Sequence, residues 1–168
     1  MPSEYGEGVT REEWSKAVAL ALLAVAKQQR RDMAIIHFGS NDELRTDIFP
    51  KGRATPRHLV EVAEHFFNGG TEYEGWMGAS LDLIKGSQFD KADVILLSDG
   101  EAHVDDAMAL AWEQAKRSKR FRTYAVLIAS RYGDGEYGGG VLDRIAEAVI
   151  PIAGLAGERR SLERILSV

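Results

Sequence analysis

Two short stretches of the chain set chemistry-bearing side chains beside glycines. Ala92-Asp93-Val94-Ile95-Leu96-Leu97 is a compact apolar run, and Ser98-Asp99-Gly100-Glu101 closes it. An acid just past a buried strand stands where α/β sheets take their ligands, beyond the carboxyl ends of the strands. Gly100 lets backbone approach closely, and Glu101 adds a second carboxylate. The other stretch is Asn68-Gly69-Gly70-Thr71, two glycines followed by a hydroxyl and then by Glu72 and Glu74. The plain readings are a turn for Asp99 and a helix cap for Thr71, with the glutamates favouring a helix N-terminus. A hydroxyl and acids suit binding, since neither stretch pairs a nucleophile with a general base.

The remaining reactive residues point away from other chemistries. His37, His58, His65 and His103 lack the helical spacings of a zinc or di-iron centre, and His58 and His65 read as surface residues. The chain has no cysteine, which excludes disulfides, thiolate metal sites and cysteine nucleophiles. The glycine-rich run 131–140 has neither a helix-opening dinucleotide fingerprint nor a Walker spacing and reads as a loop. A net charge of -5 with no basic face argues against nucleic acid. The one basic run, residues 116–122, suits the end of a helix. Residues 17–26 form the longest apolar run, too short to span a bilayer, and no signal pattern opens the chain. No membrane association and a cytoplasmic location are the resulting expectations.

The positioning elements follow from periodicity. With 168 residues, 45% of them apolar, the chain suits one domain over 1–168. Thr10-Arg11-Glu12-Glu13 has capping-box form, and Trp14, Val18, Leu22 and Val25 then recur at helical spacing, predicting a helix to about residue 29. Its apolar middle predicts packing on more than one face. A buried strand is predicted over 33–38 and a weaker one over 44–49. Thr55-Pro56 opens a second helix, running to residue 68, with Leu59, Val62, Ala63 and Phe66 on one stripe. A third helix spans about 75–84 and carries Met77, Leu81 and Ile84. Strand 92–97 precedes a helix from about 105 that buries Met108, Ala111, Trp112 and Ala115. Strand 124–128, a short helix 142–148, a short strand 149–152 and a terminal helix 158–166 complete the order. Trp14, Trp76 and Trp112 fall on core stripes. Strands alternating with helices imply a mostly parallel sheet with helices on both faces.

Taken together, "NGGT" and "ILLSDGE" resemble the second and third metal motifs of the von Willebrand factor A (VWA) domain family, in the same order with one helix between them. "WSKAVALALLAVAKQQRRDMAIIHFGS" and "FFNGGTEYEGWMGASLDLI" are similar to the flanking segments of bacterial VWA proteins of the CoxE-like and ViaA-like type. The resemblance implies a three-layer, Rossmann-like α/β fold and a metal-ion-dependent adhesion site. There Thr71 and Asp99 would contact Mg2+, with Gly70, Glu72, Gly100 and Glu101 forming the rim. It also implies a non-enzymatic protein-interaction module whose partner is a MoxR-like AAA+ ATPase. The alternatives are a metal-assisted phosphohydrolase using Asp99 and a metal-dead scaffold.

The chain departs from the family pattern at its start. The family's Asp-x-Ser-x-Ser motif, and the central first strand it ends, are missing before the first helix. The expectation is therefore an N-terminally truncated or mis-started domain whose Mg2+ binding is weak or absent. In the family order the missing strand lies between strands 33–38 and 92–97. Direct closure of those two strands, or a homodimer that fills the gap, is expected.

Overall fold

Residues 4–5, 9–40, 43–67, 72–86, 88–89, 92–128 and 139–152 are described in the computed structural model of the chain. Two short strands, β1 (Glu4–Tyr5) and β2 (Val9–Thr10), pair antiparallel and lead into α1 (Arg11–Gln29). The capping box at the head of α1 forms as predicted. Thr10 Oγ1 accepts the Glu13 N–H at 3.1 Å, and the Glu13 carboxylate accepts the Thr10 N–H at 2.7 Å. Arg30 ends the helix in a left-handed conformation, φ 55.

A hairpin follows, β3 (Met33–Phe38) antiparallel to β4 (Leu44–Phe49). After the tight turn Pro50–Gly52 come α2 (Pro56–Glu64) and α3 (Tyr73–Lys85). β5 (Val94–Ser98), α4 (Asp106–Lys119), β6 (Thr123–Ile128), α5 (Gly139–Ile145) and β7 (Ala148–Ile152) form the second half. There β5, β6 and β7 make a parallel sheet in that order.

Strand alternation sorts the core into two faces. Ile95 and Leu97 of β5, with Val126 and Ile128 of β6, pack against Trp14 and Val18 of α1. Ile35 of β3 and Phe49 meet Leu23 of α1 and Val62 of α2. On the other face Leu96, Ala125 and Leu127 join Tyr73, Trp76, Met77 and Ile84 of α3, Trp112 of α4, and Leu142 and Ile145 of α5. The three tryptophans are buried, as predicted. Helix α1 lies across both sheets, and its outward side is made of Ala17, Ala21 and Ala24.

Several expectations are corrected. Helix α2 stops at Glu64, not residue 68, and of its predicted stripe only Val62 is buried; Leu59, Ala63 and Phe66 are exposed because α2 touches the body along one edge. Helix α4 buries Ala109 and Lys116 with Trp112, while Ala111 faces solvent and Met108 and Ala115 are half-buried. The sheet is not continuous. Among the described residues β3 pairs only with β4, and β5 only with β6. The expected direct closure does not occur: among the described residues β3 and β5 do not pair, and α1 packs on each sheet through a separate set of side chains. The predicted terminal helix 158–166 lies outside the described residues, as does most of the glycine-rich run.

Candidate functional site

Both β3 and β5 run toward one end of the molecule. The Glu72 N–H donates to Gly39 O, just past β3, at 3.1 Å, and the hydroxyl of the next residue, Tyr73, lies 2.6 Å from Ser98 Oγ at the end of β5. The start of α3 thus bridges the carboxyl ends of the two strands. Burial pushes the Tyr73 phenol up to about 12, so it stays protonated and holds Ser98. Ser98 Oγ in turn accepts the Gly100 N–H at 3.1 Å, and Gly100 takes φ 76, a left-handed conformation that glycine adopts without strain.

This turn aims Asp99 back into the protein. Its side chain is only 7% exposed, while that of Glu101 is 73% exposed. One Asp99 oxygen accepts the Glu101 N–H at 3.2 Å. The other lies 3.4 Å from Arg11 Nη1, and the same nitrogen lies 3.4 Å from Glu101 Oε1. Arg11 is the first residue of α1, where a cation opposes the helix dipole. Two carboxylates from the β5 loop offset that cost and the cost of burying the guanidinium.

Of the predicted site residues, Asp99, Gly100 and Glu101 form one loop, and Glu72 stands exposed at the same end of the molecule. Gly70 and Thr71 lie outside the described residues. Sequence reasoning missed Arg11, Tyr73 and Ser98. A signal for Arg11 was present, since an arginine at the first position of a well-capped helix calls for a carboxylate partner.

The described residues do not fit a magnesium site. One Asp99 oxygen lies against the Arg11 guanidinium and the other accepts the Glu101 N–H, and among the described residues no group of three or more histidines or acids is arranged to hold a metal.

A second polar cluster lies on β3. His37 Nε2 stands 3.4 Å from Asp47 Oδ2, and the His37 ring meets the ring of His65 edge-on at 4.9 Å. Burial pushes the His37 imidazole down to about 4, with His65 reinforcing the shift, so the side chain is neutral near pH 7. His65 is half-buried against His37 rather than a free surface residue, which corrects the sequence reading.

Two solved structures share the fold at low sequence identity. One is an aerotolerance-related membrane protein from Bacteroides fragilis, with TM-score 0.62 and 11% identity over 90% of this chain and 86% of that one. The other is the conserved hypothetical protein BatB from Bacteroides thetaiotaomicron, with TM-score 0.63 and 14% identity over 98% and 88%. Both are VWA-like.

The fold is VWA-like.

In sequence the chain is 30% identical over 157 residues to the uncharacterized protein MJ0811 of Methanocaldococcus jannaschii, covering 93% of this chain and 34% of that one. It is 23% identical over 122 residues to MJ0077 of the same organism, covering 72% and 29%. The chain therefore spans about a third of the length of the curated relatives it matches. No family model matches it. Asp99 lies just past the carboxyl end of β5, which pairs parallel with β6. No helix among the described residues is long and apolar enough to cross a membrane.

Proposed function

We propose that the chain is a non-enzymatic protein-interaction module of the CoxE-like and ViaA-like VWA type, which presents loop 99–101 to a MoxR-like AAA+ ATPase. The observation that carries this reading is the contrast within the loop. Asp99 is buried and neutralised by Arg11, while Glu101 shares the same guanidinium yet leaves most of its surface to solvent. A fixed, buried pair that holds an exposed acid at a sheet end is a rigid contact surface. The resemblance of "NGGT" and "ILLSDGE" supports the choice of partner class, and the VWA-like fold supports the module.

In this reading Arg11 does the organising that a bound cation does elsewhere, and Mg2+ binds weakly or not at all. Calorimetric titration tests the point. The chain is expected to bind Mg2+ no more tightly than about 1 mM, and Arg11→Gln to bind it about tenfold more tightly, because removing a neighbouring cation frees the carboxylates. Mg2+ binding that is tight in the unaltered chain and indifferent to Arg11→Gln refutes this role. Partner recognition is tested by capture of a MoxR-like ATPase on the immobilised chain. Glu101→Gln, which removes the exposed charge and keeps the shape, is expected to abolish capture while the protein still melts cooperatively. Undiminished capture by that variant removes the loop from the interface.

A further inference from the structure

Among the described residues β4 pairs only with β3, so its other side is a sheet edge. The Gly39 N–H donates to Glu43 O at 3.0 Å, and the antiparallel register runs on from there through Phe38↔Leu44 to Met33↔Phe49. In such a ladder alternate residues turn their backbone groups toward the partner strand. Arg45, Asp47 and Phe49 therefore direct their N–H and C=O groups at β3, and Leu44, Thr46 and Ile48 direct theirs outward. The side chains of those same three residues are exposed, Leu44 by 40% and Ile48 by 46%. An edge with outward backbone groups and an apolar solvent side is a template for another strand.

The order of residues along β4 selects which strand. Leu44, Arg45, Thr46, Asp47 and Ile48 run apolar, cation, hydroxyl, acid, apolar, a pattern centred on Thr46. A second β4 laid antiparallel about a twofold axis at Thr46 sets Thr46 opposite Thr46, Leu44 opposite Ile48, and Arg45 opposite Asp47. The residues with outward backbone groups are then the ones that exchange hydrogen bonds. Arg45 and Asp47 fall at the non-hydrogen-bonded positions, where opposed side chains come closest. Charges on an edge strand ordinarily repel a second copy, but here an antiparallel copy meets each charge with its opposite. A parallel copy would set like charges side by side. Within one chain Arg45 Nη2 lies 2.9 Å from Asp47 Oδ1, and neither side chain is fully buried.

From this symmetry we infer that β4 is a self-association edge, and that its occupant is the β4 strand of a second copy of this chain, antiparallel and in register about Thr46. The pairing covers Leu44 and Ile48 of both copies and joins the two β3–β4 hairpins into one antiparallel sheet. A contact of one short strand a side is small, so the dimer is weak, with Kd on the order of 10–100 µM. It makes no use of loop 99–101 and stands apart from the role proposed for that loop.

Sedimentation equilibrium of the full chain tests this. The unaltered chain is expected to show a monomer–dimer equilibrium in that range, with slower hydrogen exchange at the Leu44, Thr46 and Ile48 amides in the dimer than in the monomer. Thr46→Pro removes an outward backbone donor where an edge strand tolerates proline, and is expected to abolish the dimer while the protein still melts cooperatively. Arg45→Asp and Asp47→Arg each set like charges opposite one another and should each weaken the homodimer about tenfold. An equimolar mixture of those two variants should associate about as tightly as the unaltered chain, because an acidic strand then meets a basic one. Should either charge variant fail to fold, the amide protection and Thr46→Pro decide. A chain that stays monomeric up to about 1 mM overturns the inference and leaves the edge to a different protein. A dimer indifferent to Thr46→Pro overturns it too, as do folded charge variants whose mixture associates no better than either alone.

Discussion

Arg11 begins a helix with the sign of charge that a helix N-terminus disfavours, and its surroundings explain why it is tolerated. Asp99 and Glu101 compensate it, so three residues from two distant segments form one electrostatic unit. His37 shows the opposite economy. It is buried without a net charge, and its ordinary imidazole value of 6.5 falls to about 4. Of the groups facing it, Asp47 favours the charged form, while His65, Arg45 and Lys16 oppose it. In the unfolded chain His37 takes up a proton as pH falls through 6.5, and in the folded chain it does not until about 4. Its neutral burial therefore costs nothing above 6.5, and stability declines as pH falls from 6.5 toward 4. The expected loss is on the order of 2 kcal/mol after allowance for solvent screening. Urea denaturation at pH 7 and pH 4.5 measures it, and His37→Leu should flatten the dependence. An unchanged slope in that variant would assign the acid sensitivity elsewhere.

At the scale of elements, the ends of α1 decide where its long apolar side lands. The capping box at Thr10 fixes one end. Near the other, Gly52 adopts φ +64, and a Cβ there would run into the backbone of Lys27 and Ala26. Thr10→Ala is expected to cost about 1 kcal/mol, the usual worth of a lost N-cap. Gly52→Ala should cost clearly more, because it adds a steric clash to an unfavourable φ. Chemical denaturation of the two variants gives the ranking. A Gly52→Ala protein as stable as Thr10→Ala would show that the turn relaxes freely. The capping box was legible because it depends on four consecutive residues. The demand for glycine at 52 was not, because it comes from a helix more than twenty residues away in the chain.

For the molecule as a whole, the two sheets are unequal. Strand β6 is paired on both sides and nearly all buried, whereas β4 alternates exposed and half-buried residues along an edge, exposing Leu44 and Ile48. Native-state hydrogen exchange should follow this difference, with β6 amides the slowest and those of the β3–β4 hairpin the fastest among the strands. Uniform protection across both sheets would mean that they open as one unit. The order of elements was legible because each strand and helix carries its own period. Exposure along α2 and α4 was not, since a helix with an apolar stripe does not reveal how much of it a neighbour covers.

The sequence by itself determined the succession of strands and helices, the caps that start α1 and α2, and the place of Asp99 just past a strand. These are local matters, set by periodicity and by side chains within a few residues of one another. Only the tertiary structure decided that Arg11 neutralises Asp99, that His65 packs on His37, and that β3 and β5, among the described residues, do not pair. Those outcomes depend on pairs far apart in the chain. Which distant charges and edges meet is settled by how α1 and α3 pack across the sheets, and no short window of residues contains that information.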